Sequence, residues 1–254
     1  MAKELSVAHA AGVLVEPPSH RHSPFSFEDG YAVGRRLHEQ TLASGRSQIG
    51  LKLGFTNTAV WRQLGLDSPF WAPMYDDTVI ETREVSLNGL VAPRIEPEIV
   101  LGFRTDLQPG CFRDDICAAI GWAALGFEIV QCHFPSWNFA PADAIADAGL
   151  HGRLIVGDHV EVSPQDAADL AIVEVELRRH DDVVATGRGA NALGGPVDAI
   201  EWLLRLPGVE GLRPGAIVTT GTLTAAFPVE GGQSWRLVAA GPVPLGNLDV
   251  RFPS

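Results

Sequence analysis

One carboxylate stands where a folding chain tolerates it least. Glu128 lies inside Ala123-Ala124-Leu125-Gly126-Phe127-Glu128-Ile129-Val130, the most apolar neighbourhood in the sequence. Burying an ionised side chain is costly unless an opposite charge or a cation meets it. Any fold this chain adopts must therefore bring a partner to Glu128, and either an arginine or a metal would serve. A second stretch supplies company. In Arg94-Ile95-Glu96-Pro97-Glu98-Ile99-Val100-Leu101, a strand puts Glu96 and Glu98 on one face and Ile95, Ile99 and Leu101 on the other. Neighbouring carboxylates repel unless a cation or proton sits between them. Alone, a Glu-x-Glu pair is ordinarily a solvated face. With Glu128 added, three carboxylates from two strands would make an oxygen-only cage suited to Mg²⁺ or Mn²⁺. Pro97 has no N–H to give a ladder, which places this strand at an edge or a bulge.

The rest of the chain narrows the class. Of 254 residues, 46% are hydrophobic and 20% charged, enough for a real core and too apolar for a disordered protein. Nineteen Lys and Arg against 31 Asp and Glu leave a net charge of −12 with no basic cluster, which argues against nucleic acid as a partner. No stretch approaches the roughly 20 apolar residues of a membrane span, and the first 15 residues match a secretory signal poorly. Cys111, Cys117 and Cys132 are odd in number and lack CxxC spacing, so neither a disulfide framework nor a zinc site is suggested. A reducing, cytoplasmic setting is expected.

Pro17, Pro18 and Pro24 mark an irregular stretch. Ser26 then caps a helix, with Asp29 as its capping-box partner and Phe27, Tyr31 and Leu37 on one face. From Ile49 the period changes to two: Ile49, Leu51 and Leu53 alternate with Gly50, Lys52 and Gly54. A short helix over 59–64 follows. Further strands are expected at 78–81, 94–103, 126–131, 154–156, 171–179, 216–220, 234–239 and 247–252, with a hairpin turning at Asp181-Asp182, and helices at 114–122 and 197–206. Strands outnumber helices and do not alternate with them, which favours an α+β or β-rich roll over a doubly wound sheet.

Several residues carry possible chemistry. Lys52, between Gly50 and Gly54, has an open approach on its side of the strand, where an ammonium can orient an anion or move protons. Asp76-Asp77 precede a strand and suit either a turn or acid–base work. His133 and His151 stand near these elements. The loop Thr219-Thr220-Gly221-Thr222-Leu223-Thr224 offers hydroxyls and N–H groups for a small carboxylate, and Gly187-Arg188-Gly189 could assist. The dinucleotide, Walker and GxSxG signatures are missing.

Taken together, these stretches resemble the fumarylacetoacetate hydrolase superfamily, and within it the 2-oxopent-4-enoate hydratase and 2-oxo-3-hexenedioate decarboxylase branch. The matching pieces are Ile49-Gly50-Leu51-Lys52-Leu53-Gly54-Phe55-Thr56, Pro93-Arg94-Ile95-Glu96-Pro97-Glu98-Ile99, Gly126-Phe127-Glu128-Ile129-Val130, Gly187-Arg188-Gly189 and Thr219-Thr220-Gly221-Thr222. The resemblance implies a mixed β-roll with peripheral helices over residues 47–254, with residues 1–46 as an N-terminal helical segment packed on it. It implies Mg²⁺ or Mn²⁺ on Glu96, Glu98 and Glu128, catalytic roles for Lys52 and Asp77, a small 2-oxo acid substrate in aromatic-compound degradation, and a homo-oligomer.

The expected reaction is hydration of a 2-hydroxy-2,4-dienoate, with Thr222, Gly221 and Arg188 toward the substrate and His133 or His151 activating water. Decarboxylation of a 2-oxo-3-hexenedioate and C–C hydrolysis of an acylpyruvate are the alternatives, the latter with His20, His22 and Glu28 in a lid. Within the superfamily pattern an Asn and a Ser are expected at positions where this chain has Ala148 and Leu150, followed by His151. That departure also admits a non-catalytic 2-oxo acid binder.

Overall fold

The computed structural model describes residues 1–254, with the side chains of Val60 and Gln63 outside the description. Three helices open the chain: α1 (Ala2–Ala11), α2 (Pro18–Arg21) and α3 (Phe27–Ala43). The Ser26 hydroxyl accepts from the Asp29 N–H at 3.2 Å, and the Asp29 carboxylate accepts from the Ser26 N–H at 2.9 Å, so α3 starts on the expected capping box. Gly30, Val33 and Leu37 form its buried stripe, with Phe27 and Tyr31 half-buried beside it.

The strands that follow are β1 (Gln48–Gly54), β2 (Phe70–Tyr75), β3 (Val79–Ile80), β4 (Arg94–Phe103), β5 (Ile120–Val130), β6 (His151–Val156) and β7 (Val160–Glu161). Later come β8 (Glu174–Arg179), β9 (Asp182–Arg188), β10 (Ile217–Thr219), β11 (Phe227–Pro228), β12 (Ser234–Ala240) and β13 (Asn247–Arg251). Short helices α4 (Trp61–Leu64), α5 (Arg113–Ala119), α6 (Pro141–Ala146), α7 (Pro164–Asp169) and α8 (Pro196–Leu203) connect them.

Among the described residues nine strands form one mixed sheet in the order β2-β1-β10-β4-β5-β6-β3, with β11 also on β4 and β7 also on β5. The β1/β10 and β3/β6 pairs are parallel and the others antiparallel. A second sheet, β13-β12-β8-β9, contains the hairpin expected at Asp181-Asp182. Leu51, Leu53, Ile95, Ile99 and Leu101 from the large sheet share one core with Leu177, Leu237 and Leu248 of the small sheet and with Ile200 of α8. The arrangement is the α+β roll expected from the sequence.

Two expectations are corrected. β5 begins at Ile120, so α5 ends earlier than Trp122. Trp122 pairs with Gly102 of β4, and its indole lies over that glycine, a long-range contact that outweighs local helix preference. β4 is an interior strand, not an edge. The Pro97 carbonyl accepts from the Leu223 N–H at 2.8 Å, so the side of Pro97 that lacks an N–H meets the loop between β10 and β11, where no ladder donor is required.

Candidate active site

The large sheet sorts its side chains by parity. Glu96 and Glu98 project from β4 opposite the core-facing isoleucines, and Glu128 of β5 is the direct register partner of Glu96. Lys52 enters from two strands away: it pairs with Thr219 of β10, which pairs with Val100 of β4. One carboxylate oxygen from each of Glu96, Glu98 and Glu128 lies within 4.8 Å of the others. Glu98 and Glu128 are fully buried and Lys52 is 3% exposed.

Each buried glutamate has one oxygen satisfied and one bare. Glu128 Oε1 receives Lys52 Nζ at 2.7 Å and His151 Nδ1 at 2.8 Å. Glu98 Oε2 accepts from the Thr219 hydroxyl and from the Gly221 N–H, the latter at 2.8 Å. Glu98 Oε1 and Glu128 Oε2 have no partner among the described residues. A buried carboxylate oxygen left unpaired is expensive, and three carboxylates against one ammonium leave two negative charges. This donor set fits a hard divalent cation.

The electrostatics agree. Burial, reinforced by the Glu128 charge, lifts Glu96 to about 7. Burial and the two neighbouring carboxylates push Glu98 well above the usual range. Glu128 also suffers burial, but Lys52 and His151 outweigh it and hold the group below its ordinary value. Lys52 in turn is raised, because the three glutamates overcome the cost of its burial. His151 is lowered by burial and is thus neutral near pH 7. Its Nδ1–H then donates to Glu128, and Nε2 lies 2.9 Å from the Thr78 Oγ1, whose hydroxyl donates to the Tyr75 carbonyl.

A strained turn delivers His151. Ala148, Gly149 and Leu150 have φ of +52°, +68° and +59°, a left-handed run that non-glycine residues adopt at a cost. A Cβ on Gly149 would lie 2.6 Å from the Ala72 Cβ and 3.4 Å from the Lys52 Cδ, so only glycine lets the turn rest on the lysine shaft. The glycines flanking Lys52 do not open a ligand approach, as the sequence suggested. A Cβ on Gly50 would meet the Ile217 carbonyl at 2.1 Å, and one on Gly54 the Phe70 ring at 2.2 Å; these glycines admit neighbouring chain.

The structure thus gathers Lys52, Glu96, Glu98, Glu128 and His151, with the Gly221 N–H behind Glu98. Other candidates lie elsewhere. Asp77 is half-exposed and paired with Arg46 at 2.5 Å, in a cleft of about 1800 Å³ that Thr78 and His151 also line. The Thr222 hydroxyl donates to the Thr224 carbonyl. Arg188 is exposed at the end of β9. His133 bonds to Asp147, which also receives His9 of α1. Sequence reasoning missed Thr78, Thr219 as the Glu98 donor, and His9. Register with Lys52 was the signal for Thr219, whereas His9 and Asp147 lie 138 residues apart and carried none.

No family model matches the chain. It is 32% identical over 252 residues, 98% of this chain and 94% of the relative, to 2-keto-4-pentenoate hydratase 2 of Dechloromonas aromatica (strain RCB). Its structure is similar to that of 4-oxalocrotonate decarboxylase from Pseudomonas putida G7, complexed with magnesium and adipate, with a TM-score of 0.91 and 27% identity over 99% of this chain and 95% of that one. Fumarylpyruvate hydrolase from Pseudomonas aeruginosa, in complex with Mn²⁺ and pyruvate, shares the fold alone, with a TM-score of 0.63 and 16% identity over 82% and 89% of the two chains. On this evidence the chain belongs to the 2-keto-4-pentenoate hydratase and 4-oxalocrotonate decarboxylase branch of the fumarylacetoacetate hydrolase superfamily.

Proposed function

We propose that this protein is a divalent-metal-dependent hydro-lyase that adds water to a 2-hydroxy-2,4-dienoate of the 2-keto-4-pentenoate type, giving a 4-hydroxy-2-oxo acid. The observation that carries the metal half of this reading is the pair of bare, buried oxygens on Glu98 and Glu128 beside Glu96. The hydratase names of relatives that span nearly the whole chain carry the other half.

Glu96, Glu98 and Glu128 would hold Mg²⁺ or Mn²⁺, which when bound supplies a chelation point for a carboxylate and its adjacent 2-oxygen and stabilises negative charge there. Lys52, kept charged by the glutamates, donates a proton to the substrate carbon and is reprotonated by the proton that the 2-hydroxyl or the attacking water gives up. His151, fixed between Glu128 and Thr78 with both ring nitrogens engaged, orients the Glu128 carboxylate and takes no proton itself. Asp77, paired with Arg46, lines the cleft that His151 also lines, where that ion pair can open to a substrate carboxylate. On the same reading the protein is a cytoplasmic homo-oligomer acting in aromatic catabolism.

Decarboxylation is the second reading, favoured by the structural likeness to 4-oxalocrotonate decarboxylase. One assay separates them. Mg²⁺-loaded protein given 2-hydroxypenta-2,4-dienoate should remove the dienol absorbance and form the 4-hydroxy-2-oxo acid, identified by NMR. Inactivity there with CO₂ release from 2-oxo-3-hexenedioate establishes the decarboxylase, and pyruvate released from an acylpyruvate establishes the hydrolase. Either result overturns hydration.

A further inference from the structure

A second set of ligating side chains lies apart from the glutamate centre. His9 comes from α1, His133 from the segment after β5 and Asp147 from the end of α6. His9 Nε2 is 2.8 Å from Asp147 Oδ1, and His133 Nδ1 is 2.9 Å from Asp147 Oδ2. The two imidazole centroids are 4.1 Å apart. One ligating atom from each of the three residues lies within 4.8 Å of the others. Asp147 and His133 are fully buried, while the His9 side chain remains 25% exposed.

Hydrogen bonding alone does not complete this group. Two imidazole N–H groups satisfy Asp147, but Nε2 of His133 is buried and has no partner among the described residues. With Nδ1–H given to Asp147, the Nε2 lone pair stays bare where an unpaired polar atom is expensive; with the proton on Nε2, the Nδ1 lone pair faces Asp147 across 2.9 Å and needs a cation between them. Nitrogen ligands also select differently from the glutamates. Imidazole suits Zn²⁺ and its first-row neighbours, whereas carboxylates alone suit Mg²⁺ and Mn²⁺.

We propose that His9, His133 and Asp147 form a second cation site for a borderline transition metal of the Zn²⁺ type, with water completing its coordination. The exposed edge of His9 gives the ion its way in. Asp147 immediately precedes the left-handed turn 148–150 that presents His151. An ion held there fastens α1 to that turn, so occupancy stiffens the frame around the glutamate centre without joining it. This proposal does not rest on the hydration reading.

Co²⁺ is the probe, because four-coordinate nitrogen-ligated Co²⁺ absorbs visible light far more strongly than Co²⁺ in an octahedral oxygen cage. The full chain, stripped of metal and supplied with excess Mg²⁺, should take up one equivalent of Co²⁺ with the intense spectrum. Glu98→Gln should keep that equivalent. His9→Ala should lose it while still being stabilised by Mg²⁺, and alanine at this helical position disturbs α1 little. Zn²⁺ should displace the Co²⁺ and raise the melting temperature of the wild type but not of His9→Ala. Should the Glu98→Gln protein bind no Co²⁺, or should His9→Ala leave uptake and spectrum unchanged, the site does not exist and the cluster is a hydrogen-bonded brace.

Discussion

Among the described residues Lys52 is the one cation inside a nest of three carboxylates, and removing it tests how the centre balances its charge. In Lys52→Met the side chain keeps its length but loses the ammonium 2.7 Å from Glu128 Oε1. Breaking a buried ion pair by deleting one partner costs about 3–5 kcal/mol, because the other charge stays buried and unpaired. For a chain of this size 1 kcal/mol corresponds to about 2–4 °C, so in chelator at pH 7.5 the melting temperature should fall by roughly 6–20 °C. The loss should shrink at pH 5.5, where a glutamate can take a proton in place of the lost ammonium. Added Mg²⁺ should then rescue the variant by more than it stabilises the wild type, since three carboxylates without an ammonium repel one another more and the cation with nothing. Turnover should drop by about 10²–10⁴-fold, the usual contribution of a positioned acid–base group. Differential scanning fluorimetry with chelator and with Mg²⁺, at both pH values, reads all of this. A variant that melts within 2 °C of wild type in chelator, or gains less from Mg²⁺, refutes the charge balance.

Glu98→Gln removes one of the bare oxygens, and the stabilisation by saturating Mg²⁺, about 2.7 kcal/mol at 100 times Kd, should vanish from its melting curve. The pH dependence of the metal-free protein has a definite sign. Glu96 is lifted by burial from 4.5 to about 7, so its contribution is present below 4.5 and is lost as pH rises through about 7. Between pH 6.5 and 8 this group alone should remove about 1 kcal/mol, and Mg²⁺ should abolish that decline; calorimetry that shows the same pH dependence in chelator and in Mg²⁺ contradicts it. Leu150→Asn should destabilise the protein, because the roughly 1 kcal/mol relieved at a left-handed leucine is outweighed by the about 2–5 kcal/mol lost when a buried leucine leaves its cluster with Phe70 and Ile145; an unchanged or raised midpoint in chemical denaturation contradicts this.

Local pattern reveals what local forces decide. The period-two run in 94–103 matched β4 end to end, and the Ser26–Asp29 box marked the start of α3, because each is settled by neighbours within a few residues. Glu128 could be singled out because a charge in an apolar run demands a partner whatever the fold. Which partner it finds was beyond the sequence: Lys52 reaches it only through the parallel β1/β10 pairing and the β10/β4 register. β2 was missed because Pro73 interrupts its pattern, and α1 because its apolar run carries no cap that signals a helix. Pro97 misled, because its missing N–H faces a loop and not an open edge. Asp77 is paired with Arg46 and His133 with Asp147, contacts between distant residues that no local pattern announces.

The convergence of Glu96, Glu98 and Glu128 on one cation is tested most directly by a crystal soaked in Mn²⁺ and oxalate, with the ion located by its anomalous scattering. A single strong peak should lie about 2.0–2.3 Å from one oxygen of each glutamate, the distance hard divalent ions keep from carboxylates, with both oxalate oxygens completing the chelate and Lys52 still on Glu128. No peak among the glutamates, or three carboxylates that turn away from one another while the ion stays in solvent, would contradict the assignment of this centre.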